Sequence, residues 1–161
     1  MRKILFTAIV IIFTTTAAFA QQYAPYKGNI FLNAGISNMN AHITDPFVFN
    51  LNIGTGYFVA NKLALITQMG IRIHDDVNTL GIGAGVRFYI PKERTDLFVN
   101  GLLGVTKTGD ADAITTLTLE AGYSLFLNGH VAFEPLASLI IPFSSGANTQ
   151  FTIGAAFTVF F

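Results

Sequence analysis

The feature that most limits what this chain can fold into is a two-residue period. Apolar side chains recur at every second position in eight successive segments, at residues 26–37, 47–59, 62–73, 79–90, 96–106, 115–127, 130–141 and 149–161. Successive side chains on a strand point to opposite faces, so this period marks strands rather than helices. In the fourth segment Leu80, Ile82, Ala84, Val86, Phe88 and Ile90 share one face, while Gly81, Gly83, Gly85 and Arg87 share the other. In the last, Phe151, Ile153, Ala155, Phe157, Val159 and Phe161 oppose Gln150, Thr152, Gly154, Ala156 and Thr158. Each segment is roughly 10 to 13 residues long, the length a tilted strand needs to cross a bilayer.

Two barrel readings share this pattern and differ in which face meets solvent. A water-soluble barrel has an apolar interior and many Lys and Glu outside. Here one face is almost wholly Leu, Ile, Val, Phe and Ala, and the other holds Asn, Gln, Thr, Gly and the mid-strand charges. Only 11% of the chain is charged, against roughly 25% in soluble domains, too little to dress a water-facing surface. The apolar face is therefore expected to meet lipid, and a soluble ligand-binding barrel is the weaker alternative. No apolar run after the leader is long enough for a spanning helix, and barrels are the other structure that satisfies its backbone in lipid.

Residues 1–20 carry Arg2 and Lys3, an apolar run from Ile4 to Phe13, and the small-x-small triplet Ala18-Phe19-Ala20. This composition predicts a secretory signal peptide cut before Gln21, leaving residues 21–161 as one domain. The chain has no cysteine, which excludes disulfide and thiol chemistry and the cysteine-based lipid anchor.

Connections between segments alternate in kind. Tight turns are expected at Ala60-Asn61, at 91–95 and at Asn128-Gly129, where both residues tolerate the positive φ of a type I′ turn. Longer, more polar loops are expected at 38–46, 74–78, 107–113 and 144–148. Barrels of this kind place short turns toward the periplasm and longer loops outward, which puts both chain ends on the periplasmic side. Tyr26, Tyr57, Phe88, Phe133 and Phe161 would form a girdle near the turns, and Phe47, Phe143 and Phe151 one near the outer rim.

With these segments in place, the chain resembles the small outer-membrane β-barrel family typified by OmpX and the transmembrane domain of OmpA. The resemblance covers residues 21–161 and rests mainly on pattern. It implies an eight-stranded antiparallel up-and-down transmembrane barrel in a Gram-negative outer membrane, monomeric and in contact with lipids and lipopolysaccharide. Its most specific part is the ending: Phe157, Val159 and Phe161 on one face, with an aromatic last residue, resemble the signal read by the barrel-assembly machinery. A lipid-facing last strand would also end in apolar residues for packing alone.

Four ionisable residues point to the polar face: Arg72, Arg87, Glu120 and Glu134. A charge inside a narrow lumen has to be paired or hydrated, which predicts a cluster centred on Arg87 with Glu120 and Glu134. An eight-stranded interior is filled by side chains, so a conducting pore is not expected. Asp45, Asp75, Asp76, Asp110 and Asp112 give the loops an acidic character, read as solvated surface or as a divalent-cation bridge to lipopolysaccharide. Nothing suggests nucleic-acid binding, and no cofactor is implied.

Some barrels of this size edit lipid A, which opens a catalytic reading. A His and Ser two apart on one strand, the deacylase pattern, fails here because His130 is followed by Ala132. An acyltransferase-like set could be assembled from His42, Asp45 and Ser144 or Ser145, but such a set is defined by geometry. His74 with Asp75 and Asp76 lacks the spacing of zinc sites. The expected function is a non-enzymatic envelope protein with a structural or surface-contact role, a lipid A-modifying enzyme being the alternative.

Overall fold

A computed structural model describes residues 25–37, 49–74, 77–91, 95–144 and 147–161. Eight strands, β1 (Ile30–Ser37), β2 (Phe49–Ala60), β3 (Leu63–His74), β4 (Val77–Pro91), β5 (Thr95–Thr108), β6 (Ile114–Phe126), β7 (Val131–Pro142) and β8 (Gln150–Phe160), pair in chain order. β8 returns antiparallel to β1 and closes the barrel. The register climbs steadily from strand to strand, the stagger that a closed barrel of tilted strands requires. Closure leaves no sheet edge, so the ladder itself satisfies most of the backbone polar groups that a bilayer would not solvate.

The strands follow the two-residue period, and the differences from the expected boundaries lie in the connections. The first strand begins at Ile30 rather than residue 26, because Gly28, at φ 97°, turns the chain across the base of the barrel. There Gly28 N donates to the Phe58 carbonyl and Lys62 N to that of Pro25. The β2–β3 turn falls on Asn61 and Lys62, with Lys62 at φ 71° and a bulge between Phe58 and Ala60. The stretch expected as a loop at 74–78 is mostly strand, since His74 pairs with Val77. The Asn128-Gly129 hairpin is not a type I′ turn, because neither residue has positive φ. Instead Asn128 Oδ1 accepts the amides of His130 and Val131, both at 2.8 Å, and its side chain closes the loop as an Asx turn does.

Outside, the apolar positions form a continuous exposed belt that includes Ile82, Leu103, Phe151 and Ile153, each more than half exposed. A contiguous apolar surface of this extent is foreign to a water-soluble monomer and suits lipid. Tyr26, Tyr57, Phe88 and Phe161 are exposed near the turn end, and Phe143 and Phe151 near the loop end. Phe133 is partly covered by Phe157, ring centroids 5.3 Å apart, and Phe47 lies outside the described residues. Inside, the two ends differ. The half near the turns is solidly packed, and the half near the loops is hollow.

Candidate functional site: a lumen in two halves

Arg87 enters the lumen from β4 two residues before Tyr89, which holds both side chains on the inner face. Its Nη1 lies 3.0 Å from Glu134 Oε2 on β7 and donates to Tyr89 Oη at 3.1 Å; its Nε donates to Asn100 Oδ1 at 2.9 Å. Glu134 accepts two further bonds, from Ser124 Oγ at 2.6 Å and Thr158 Oγ1 at 2.7 Å. Arg87 and Glu134 are both buried. Removing such ions from water costs several kcal/mol each, and only close pairing with saturated hydrogen bonding offsets it. Among the described residues no buried side-chain nitrogen or oxygen lacks a partner.

Glu120 joins this network at one remove. Asn100 receives Arg87 on its carbonyl side and donates from Nδ2 to Glu120 Oε2 at 2.7 Å, while Ser138 Oγ donates to Glu120 Oε1 at 3.1 Å. Arg87 thus meets Glu134 directly and Glu120 through an amide relay. Arg72 stands apart, near the loop end of β3, with its Nε on Asn50 Oδ1 at 2.9 Å and Nη2 on Gln150 Oε1 at 3.2 Å.

Below the ion pair, toward the turns, lies an aromatic layer; the two-residue period puts Phe31 and Phe98 on the inner face but says nothing of the layer they form with other strands. Phe31, Phe58, Tyr89, Phe98 and Phe160 are buried and, with Phe126, form a network of tilted and edge-on rings with centroids 5.5 to 6.5 Å apart. The guanidinium carbon of Arg87 sits 4.3 Å from the Phe98 ring centre and 4.9 Å from that of Phe31, within cation–π range. Glycine makes room for the rings. A Cβ on Gly56 would run into the Phe31 ring, and one on Gly122 would come within 2.6 Å of Phe98. The sequence signal was present: each of these aromatics occupies the phase of its strand that elsewhere carries Asn, Gly or Thr.

Above, toward the loops, the lumen opens into a cavity of about 470 Å³, with Glu120 and Leu102 at its inner end and Arg72, Thr108 and Gln150 near its rim. Of the three residues expected to form an assembly signal, Phe157 and Phe161 are exposed and Val159 is partly so; the backbone of Phe161 exchanges hydrogen bonds with Ile30, at 3.1 and 2.8 Å. Residues 1–20, His42, Asp45, Asp75, Asp76 and Ser145 lie outside the described residues, and so, apart from Ser144, does the expected set of His42, Asp45 and Ser144 or Ser145.

An eight-stranded antiparallel barrel, apolar outside and charged inside, defines the class: the chain has the fold of the small outer-membrane β-barrels. Among solved structures it is similar to the N-terminal β-barrel domain of Pseudomonas aeruginosa OprF, with a TM-score of 0.68 at 12% identity over 84% of this chain and 98% of that one. It is also similar to Neisserial surface protein A, at 0.59 and 13% over 81% of this chain and 94% of that one. Ail of Yersinia pestis, in a phospholipid bilayer nanodisc, gives 0.57 and 15% over 84% and 100%. At these identities the likeness is one of fold. No protein-family model matches the sequence, and no curated protein does.

Proposed function

We propose that the protein resides in a bacterial outer membrane as a non-conducting barrel with a structural or surface-contact role and no enzymatic activity. The observation that supports this reading is the buried layer of Arg87, Glu134 and the aromatic rings, packed against one another in the turn-side half of the lumen. Ions and solutes would have to displace a hydrogen-bonded ion pair and close-packed rings, both costly in a narrow interior. The exposed apolar belt supports residence in lipid, and the ending Phe157, Val159 and Phe161 supports recognition by the barrel-assembly machinery.

The test is electrical. Folded into planar lipid bilayers, the wild-type chain is expected to give no steady unitary conductance, whereas Glu134→Ala combined with Phe98→Ala should admit ions. Regular conductance steps from the wild type would overturn the closed-lumen reading. For the enzymatic alternative, lipid A from cells with and without the protein is expected to show the same acyl pattern by mass spectrometry. A shift in acyl number would overturn the non-enzymatic reading.

A further inference from the structure

We infer that the loop-side half of the lumen is a binding site for a small hydroxylated organic anion, a phosphorylated sugar or sugar acid, with its anionic group on Arg72. The cavity is about 470 Å³, inside the range of roughly 300 to 1,000 Å³ typical of small-molecule sites. Its lining is specific in kind. Asn52, Gln68, Thr106, Thr116, Thr118 and Thr152 supply neutral amides and hydroxyls. Leu102 and Ile140 supply apolar wall. Polar edges around an apolar wall suit a sugar ring, whose hydroxyls lie at its rim and whose C–H groups form its faces.

Arg72 supplies the charge. Asn50 and Gln150 hold its guanidinium from β2 and β8, and both are neutral. Among the described residues no carboxylate ion-pairs with it, in contrast to Arg87. A half-buried guanidinium oriented by two amides at the rim of the cup, with no carboxylate paired to it among the described residues, attracts and orients anions. The carboxylate at the inner end, Glu120, is already occupied by Asn100 and Ser138, and its charge disfavours a second anionic group there. The anion therefore sits at the rim and the hydroxylated body points inward.

The cup also offers a way to close it without disturbing the barrel. A Cβ added at Gly81 or Gly83, both lining the cavity, would meet nothing nearer than 3.4 Å. Larger side chains at these positions therefore extend into the cup.

The experiment titrates the folded, detergent-solubilised mature chain with glucose 6-phosphate, glucose and inorganic phosphate by calorimetry. Saturable binding of glucose 6-phosphate, tighter than either fragment, is expected. Arg72→Gln should weaken it by about tenfold or more, as loss of a charge-assisted contact implies. Gly83→Leu, and independently Gly81→Leu, should abolish it while heat-modifiable migration stays that of the folded barrel. Absent binding, binding untouched by the fold-preserving variants, or phosphate binding as tightly as the sugar phosphate (an adventitious ion only) would each overturn the proposal. The same titration in nanodiscs with and without lipopolysaccharide separates the sources. Competition by lipopolysaccharide assigns the site to the phosphorylated sugars of a lipid headgroup, and its absence assigns it to a free solute.

Discussion

Arg87 carries the most consequential contacts in the barrel, because one guanidinium joins β4 to β7 by charge, to β5 by an amide and to the aromatic layer by its faces. Glu134→Gln keeps the shape but leaves Arg87 buried without its counter-charge, and should cost on the order of 3–5 kcal/mol. Arg87→Met combined with Glu134→Gln should cost less than that single change, since no charge is stranded. Urea unfolding in lipid vesicles measures both, and a single variant within experimental error of wild type would sink the account. The glycines make a second residue-scale prediction. Gly85→Ala would drive a Cβ onto the Gly101 carbonyl and should block folding, whereas Gly81→Ala, with 3.4 Å of clearance, should leave heat-modifiable migration unchanged. Equal behaviour of the two would show that clearance at the wall does not govern assembly.

Among the elements, β7 carries a break in its ladder. The ladder between β6 and β7 runs from Thr116–Pro142 to Gly122–Leu136, lapses, and resumes at Leu125–Phe133. Pro135 lies in the lapse, opposite Tyr123, and has no N–H to donate. In lipid a missing ladder bond has no water to replace it, so the seam is locally weak. Hydrogen exchange at Tyr123, Ser124 and Leu125 should be faster than at equal depth on β3 and β4, where pairing is unbroken from Leu63–Phe88 to His74–Val77. Pro135→Ala should slow it; exchange rates that match β3 and β4 in the wild type would count against a weak seam. The lapse also sits beside the β7 segment that delivers Glu134 to Arg87, so relaxed seam geometry and the ion pair share the same few residues.

At the scale of the whole molecule, closure depends on β1 and β8, the strands farthest apart in the chain and thus the last that folding can bring together without long-range order. Their pairing runs from Phe31–Phe160 to Ser37–Gly154 and is extended by the two hydrogen bonds between Ile30 and Phe161. His130 adds to this end, since its carbonyl accepts from Phe160 N at 2.7 Å. Deleting Phe161 removes both Ile30 bonds and an exposed lipid-facing ring. Folding into vesicles should slow and the thermal midpoint should fall. Unchanged kinetics and midpoint would mean that closure is complete without the last residue.

Strand number, the lipid-facing set and the inward direction of Arg72, Arg87, Glu120 and Glu134 could all be read from the sequence, because a strand's period of two is a local property and one face was consistently apolar. The same rule placed Phe98 and Phe31 inside but could not say that they stack with Phe58, Tyr89 and Phe160, since those residues come from separate strands and meet only through register. Turn geometry at Asn128 was decided by a side-chain hydrogen bond that competes with backbone propensity. Whether Arg87 meets Glu134 or Glu120 was likewise set by stagger between strands, as was the isolation of Arg72. The pattern along each strand determined that this chain makes a barrel with charges inside. Only closure, which fixes each strand's height relative to the others, decided that those charges would divide into a packed half and a hollow one.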